Sequence, residues 1–159
     1  MSSDRSSTPP LQRIWAQHAA LHQRVQALHT WLETLSEPRS WTVPHRLLEE
    51  IQVLLPEHFA LEEAQGYFAD VLRVAPHLEP RAARLRAHHG ALVPQLDDVL
   101  DALRRRCDRS LDASVLQQIE AFLQALEHHE QGESELVRDA FQGIRKSRTR
   151  VPEGGVPHA

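Results

Sequence analysis

The amino-acid sequence predicts an all-α protein, an antiparallel up-down-up-down bundle of four helices with an internal two-fold pseudo-repeat. Glycine is scarce and β-branched runs are nearly absent, whereas Leu, Ala, Glu, Gln and Arg abound, and this composition favours helix. Apolar residues recur at intervals of three and four along four long segments, as they do on the buried face of a helix. The second half of this pattern repeats the first at an offset of 71 residues.

The apolar spacing delimits the four predicted helices, which cover approximately residues 9–35, 43–74, 80–107 and 111–143. Thr8 supplies a hydroxyl cap for the first helix, and the two prolines after it suit a first turn. Val43-Pro44 begins the second helix in a similar way, and Ser110 or Asp112 caps the fourth. The connections between them are short, which favours antiparallel neighbours.

The length of 159 residues indicates a single domain, predicted as a bundle over residues 9–145. Residues 1–8 are predicted to be flexible, and the polar tail 146–159, with its Gly and Pro, is predicted to be disordered. The net charge is -4 with scattered positive residues, which argues against nucleic-acid binding. No apolar run approaches the ~18 residues of a membrane span. The single cysteine, Cys107, and the lack of a secretory signal predict a cytoplasmic protein.

The polar residues on the predicted inner faces follow the same repeat. At the offset of 71, His18 falls on His89, His58 on His129 and Glu62 on Glu133. Each half therefore has one histidine followed by an H-x-x-x-E segment, whose two side chains share one helix face. A single such histidine is more often a hydrogen-bonded core residue. Six imidazoles and carboxylates repeated in one core favour a metal site, because their burial is costly without a partner.

The ligand types restrict the metal. Carboxylates and imidazoles without sulfur suit iron, manganese or zinc. If Glu62 and Glu133 each bridge two ions, every ion receives two oxygens and two histidines, and a bridging oxo or hydroxo group leaves one position open. A single zinc would need only three or four of these groups. The Glu-x-x-His segments of ferritin-like diiron proteins are absent, because no glutamate lies three residues before a histidine.

Four stretches, QHAAL, EHFALEE, HHGAL and HHEQGESELV, together resemble the hemerythrin-like (HHE) domain over about residues 11–142. The order of these motifs, their spacing and their helix placement all agree with that family. The resemblance implies an antiparallel four-helix bundle that holds two iron ions with a bridging oxo or hydroxo group. The ligands that the resemblance implies, by position, are His18, His58, Glu62, His89, His129 and Glu133.

The sequence departs from the oxygen-carrying hemerythrins at two places. Those proteins have H-x-x-x-H on the third helix, where this chain has Val93, and an aspartate five residues after the last histidine, where Glu133 follows at four. His22 is the pseudo-symmetric counterpart of Val93 and is a candidate seventh ligand. If His22 binds, it completes the coordination of one ion, and only the other ion keeps an open position. The sequence does not favour this arrangement over one in which His22 stays unbound. Glu63, about 140° from His58, is expected to face outward.

The resemblance implies a module that binds or senses dioxygen, or a related diatomic or peroxide ligand, at the diiron centre. One alternative is an enzyme on the same scaffold that acts on peroxide or nitric oxide. Another is an iron store or a metal-stabilised structural bundle. No signalling domain is recognisable in the sequence, so the output of a sensor would pass to a protein partner.

Overall fold

A computed structural model describes residues 10–34, 41–64, 67–105 and 113–148, all within or next to helices. The α-helices are α1 (Pro10–Glu33), α2 (Thr42–Ala64), α3 (Tyr67–Val74), α4 (Glu79–Arg104) and α5 (Ala113–Arg148), with a 3-10 turn at Pro76–Leu78. The described parts of the chain contain no strand. The predicted all-α class is therefore confirmed.

The long helices pack mainly against their neighbours in the chain. α1 packs on α2, α2 on α4, and α4 on α5, while α3 lies against α5. His29 of α1 and Glu127 of α5 approach to 2.8 Å, so that the first and last helices also meet. Arg81 of α4 donates to Glu135 of α5 at 2.8 Å and holds the second pair of helices together. This arrangement is the predicted four-helix bundle.

Two helix boundaries differ from the predicted ones. The predicted second helix, 43–74, corresponds to α2 and α3, and residues 65–66 between them lie outside the described parts. α5 continues to Arg148, beyond the predicted end near Gly143 and into the predicted tail. No proline follows Gly143 until position 152, and the basic residues 145, 146 and 148 suit the carboxyl end of a helix. Residues 1–8, Cys107 and the rest of the tail lie outside the described residues.

The core consists of two apolar clusters with a polar layer between them. The larger cluster includes Leu92 of α4 and Leu126 of α5, and the smaller includes Leu85 and Leu136 of the same helices. The inward histidine of α4, His89, lies between its two leucines. Each fully buried leucine contributes about 1.5–3 kcal/mol to folding. The apolar clusters on both sides thus offset the free-energy cost of burying the polar layer.

Candidate metal centre

Four helices contribute to the polar layer. α1 supplies His18, α2 supplies His58 and Glu62, and α4 supplies His89. α5 supplies the remaining pair, His129 and Glu133. The structure therefore brings together the six residues that are paired by the repeat. Each H-x-x-x-E pair meets on one face because residues four apart are neighbours on a helix surface.

Glu62 lies between the histidines of both halves. Its Oε1 is 2.9 Å from Nε2 of His58 and 3.3 Å from Nε2 of His18. Its Oε2 is 3.5 Å from Nε2 of His89. One carboxylate thus offers one oxygen to each side of the layer.

Glu133 occupies the corresponding place on α5. Its Oε1 is 3.2 Å from Nε2 of His129 and 3.7 Å from Nε2 of His89. Two overlapping groups of potential ligands result, and each has ligand atoms within 4.8 Å of one another. Both groups contain the two glutamates. One adds His18 and His58, and the other adds His89 and His129.

Most of the layer is deeply buried, and its carboxylate oxygens lack hydrogen bonds of acceptable geometry. Among the described residues, the buried polar or charged side chains are all members of this layer: His58, Glu62, His89, His129 and Glu133. None of the four oxygens of Glu62 and Glu133 takes part in a hydrogen bond of acceptable geometry, despite the short distances to imidazole nitrogens. Burying such groups without partners costs several kcal/mol or more. A bound cation would remove that cost.

The spacing of two imidazoles also fits a cation. Nε2 of His89 and Nε2 of His129 are 3.2 Å apart. Two nitrogens that bind one ion at the usual ~2.1 Å are about 3.0–3.4 Å apart in octahedral or tetrahedral geometry. All the donors are nitrogen and oxygen, which suits iron, manganese or zinc. The residues present therefore fit a metal.

The pKa values show how strongly these groups interact without a metal. Burial alone would raise the pKa of Glu62, but the imidazoles of His18 and His58 outweigh it and lower that pKa to about 2. Burial lowers the pKa of His18, whereas its contact with Glu62 and nearby carboxylate charges raise it above its ordinary 6.5 overall. Burial also lowers the pKa of His89, and Glu133 and Glu63 more than reverse that effect.

A cavity of about 400 Å³ opens beside His18. It lies between α1, α3 and α5 and is lined by Ile14, Trp15, His18, Tyr67, Ser134 and Val137. The side chain of His18 is 31% exposed, whereas that of His89 is 5% exposed. Burial raises the pKa of the Tyr67 phenol, and the charges of Glu133 and Glu62 raise it further, so the hydroxyl stays protonated. Of the six residues of the layer, His18 is the one that lines this cavity.

His22 is the predicted residue that the structure does not bring into the layer. Its side chain is exposed, and neither group of potential ligands includes it. Its role as a ligand stays a prediction. His88 and His128, which neighbour members of the layer in sequence, are exposed.

Three neighbours of the layer were not identified from the sequence. Phe59 stacks on His89, with ring centroids 3.9 Å apart and planes 9° from parallel. Glu63 is exposed, in agreement with its expected outward position, and its carboxylate still contacts Nδ1 of the same histidine at 2.7 Å. Glu130 has a buried Oε1 without a hydrogen-bond partner, and burial raises its pKa. No periodic pattern marks these residues, because they belong to the flanks of their helices.

None of the helices in the described ranges is both long enough and apolar enough to span a membrane.

The family model described as the hemerythrin HHE cation binding domain matches residues 9–141. No match was found among curated proteins or among solved structures. The matched range contains α1 to α4 almost entirely, most of α5, and every member of the polar layer. The match covers far more than half of the chain, and the protein therefore belongs to the hemerythrin HHE cation-binding domain family.

Proposed function

We propose that this protein holds two iron ions in its polar layer and uses them to bind or sense dioxygen or a related diatomic or peroxide ligand. The observation that carries the proposal is the pair of overlapping ligand groups that share Glu62 and Glu133. Each ion would have two histidines of its own and would share both carboxylates and an oxo or hydroxo bridge. When bound, ferrous iron would supply the electrons that dioxygen accepts on binding.

Different residues of the chain would space the ions, exclude water and contact the small ligand. The two bridging carboxylates would hold the ions at a fixed separation, since both side chains come from rigid helices. The apolar clusters above and below the layer exclude bulk water, which strengthens every charge interaction inside it. The cavity beside His18 admits the ligand. The Tyr67 hydroxyl, which stays protonated, can donate a hydrogen bond to a molecule in that cavity.

The test is to load the metal-free protein with Fe²⁺ under anaerobic conditions, count the iron, and then admit oxygen. We expect two ions per chain and a change in the visible spectrum that reverses when oxygen is removed. Irreversible oxidation with catalytic loss of added peroxide would instead favour an enzyme. A ratio near one ion per chain, or a preference for zinc, would contradict the two-iron proposal.

Two neighbouring histidines of α5 provide a matched pair of variants. His129→Leu removes a buried nitrogen from the layer, and we expect the iron content to fall to one ion or fewer. His128→Leu removes an exposed imidazole one residue away and should leave two ions bound. His22→Leu tests the seventh candidate ligand. An unchanged iron count and spectrum would exclude His22 from the centre.

A further inference from the structure

We propose that Glu63 is a positioning residue for His89 and that it makes the cation position beside His89 and His129 the tighter of the two. The inference rests on the proposed two-ion centre. Oε1 of Glu63 lies 2.7 Å from Nδ1 of His89, a distance typical of a charge-assisted hydrogen bond. The two residues come from different helices, α2 and α4, so the contact also fixes those helices relative to each other at the layer.

This contact determines which nitrogen of His89 can bind a cation. An ionised carboxylate only accepts hydrogen bonds. Nδ1 of His89 therefore carries the hydrogen and donates this bond to Glu63. In the neutral ring Nε2 then has a free lone pair. That atom faces the layer, 3.5 Å from Glu62 and 3.7 Å from Glu133. Glu63 therefore selects the tautomer that a metal requires.

Phe59 restrains the same ring from its face. The rings of Phe59 and His89 are nearly parallel at 3.9 Å, so that the imidazole is held by stacking as well as by its hydrogen bond. The outer nitrogens of His58 and His129, in contrast, are buried without hydrogen-bond partners. Of these three imidazoles, only His89 has a carboxylate at its outer nitrogen, Nδ1.

The internal repeat places no carboxylate at the position of the other half that corresponds to Glu63. At the offset of 71 residues, His89 corresponds to His18, and Glu63 corresponds to Ser134. Ser134 carries no charge and lines the cavity beside His18. Phe59 corresponds to Glu130, which cannot stack as an aromatic ring does. The two cation positions therefore have equivalent ligands, but among the described residues the carboxylate and the stacked aromatic ring are found only at His89. The position beside His18 binds its cation more weakly.

The experiment measures the two Fe²⁺ dissociation constants by anaerobic competition with a chelating dye. In Glu63→Ala we expect one constant to weaken by about 10–100-fold, the usual effect of losing an orienting carboxylate, while the other stays unchanged. Glu63→Gln retains an oxygen that accepts the Nδ1 proton and should lose less. Glu57→Gln removes the same charge from an exposed position of α2 and should change neither constant.

A second measurement distinguishes orientation from a general structural effect. In the diamagnetic zinc-loaded protein, ¹⁵N spectra of labelled histidines should show His89 protonated at Nδ1. This signal should exchange faster with water in Glu63→Ala. Equal weakening of both ions in Glu63→Ala, or no weakening of either, would refute the role of Glu63. A wild-type chain that binds fewer than two Fe²⁺ ions would refute the two-ion centre instead.

Discussion

At the scale of single residues, the polar layer of the metal-free protein consists of buried carboxylates and imidazoles whose charged forms depend on one another. Glu62 and Glu133 are buried at 0% and 1% exposure with oxygens that lack acceptable hydrogen bonds. Their nearest neighbours are imidazoles, which compensate for the charge only when protonated. A bound cation would take the place of those protons, and the same imidazole nitrogens and carboxylate oxygens would then be its ligands.

The pKa shifts predict that, at the upper end of the pH range, the stability of the metal-free protein and its affinity for Fe²⁺ change in opposite directions. The raised pKa values of His18 and His89 stabilise the fold fully below their ordinary 6.5, and this contribution is lost as pH rises through the folded-state values. The lowered pKa of Glu62 stabilises the fold above its ordinary 4.5, and this contribution is lost as pH falls through about 2. For these three groups, stability without metal is therefore greatest between 4.5 and 6.5.

Chemical denaturation of the metal-free protein below, within and above this pH range measures how its free energy of unfolding depends on pH. Fe²⁺ affinity should rise over the upper range in which stability falls, because the ion competes with protons for the imidazoles. A metal affinity that is independent of pH between 6 and 8 would show, given the ordinary histidine pKa of about 6.5, that the imidazoles do not bind the ion.

At the scale of the helices, α4 and α5 pack closely next to the layer. A Cβ atom added at Gly132, next to Glu133, would lie 2.9 Å from Cδ2 of Leu85. Gly132 thus allows α5 to lie directly against the buried leucine of α4. Gly90, next to His89, has open space around the corresponding position.

These two helical glycines give a matched test of that approach. Gly90→Ala should stabilise the metal-free protein by about 0.5–1 kcal/mol, because alanine loses less backbone entropy in a helix. Gly132→Ala gains the same propensity but forces Leu85 to move, so we expect a smaller gain or a loss. Equilibrium unfolding in denaturant measures both. An equal gain for the two variants would show that Leu85 yields without cost.

At the scale of the whole molecule, one layer joins four helices that are otherwise held by apolar packing and surface ion pairs. Its potential ligands come from α1, α2, α4 and α5, so an ion bound there would connect both halves of the bundle. α1 and α5 are separated by the cavity beside His18 over part of their length. Metal binding would therefore add a link between these helices beside the cavity.

Metal removal should consequently lower the thermal midpoint of unfolding. Each Fe²⁺ site adds about 2.7 kcal/mol when free metal is a hundred times its dissociation constant, and a chelator should abolish this increment. Leu123→Ala, in the larger apolar cluster, should cost about 2–5 kcal/mol with or without metal. His129→Leu should instead lose the increment of at least one Fe²⁺ site. Calorimetry under both conditions separates the two effects, and an unchanged increment in His129→Leu would contradict a role for that residue in binding.

The sequence by itself determined the helical class, the approximate helix ranges and the family resemblance, because apolar spacing and an H-x-x-x-E pair are local properties of a helix. The repeat at 71 residues further predicted which polar residues belong together. The sequence did not determine the setting of those residues. Glu63 and Phe59 contact His89 from another helix, and the cavity beside His18 arises from the spacing of α1 and α5. Such contacts depend on how helices rotate and tilt against one another, and only the tertiary structure decides that.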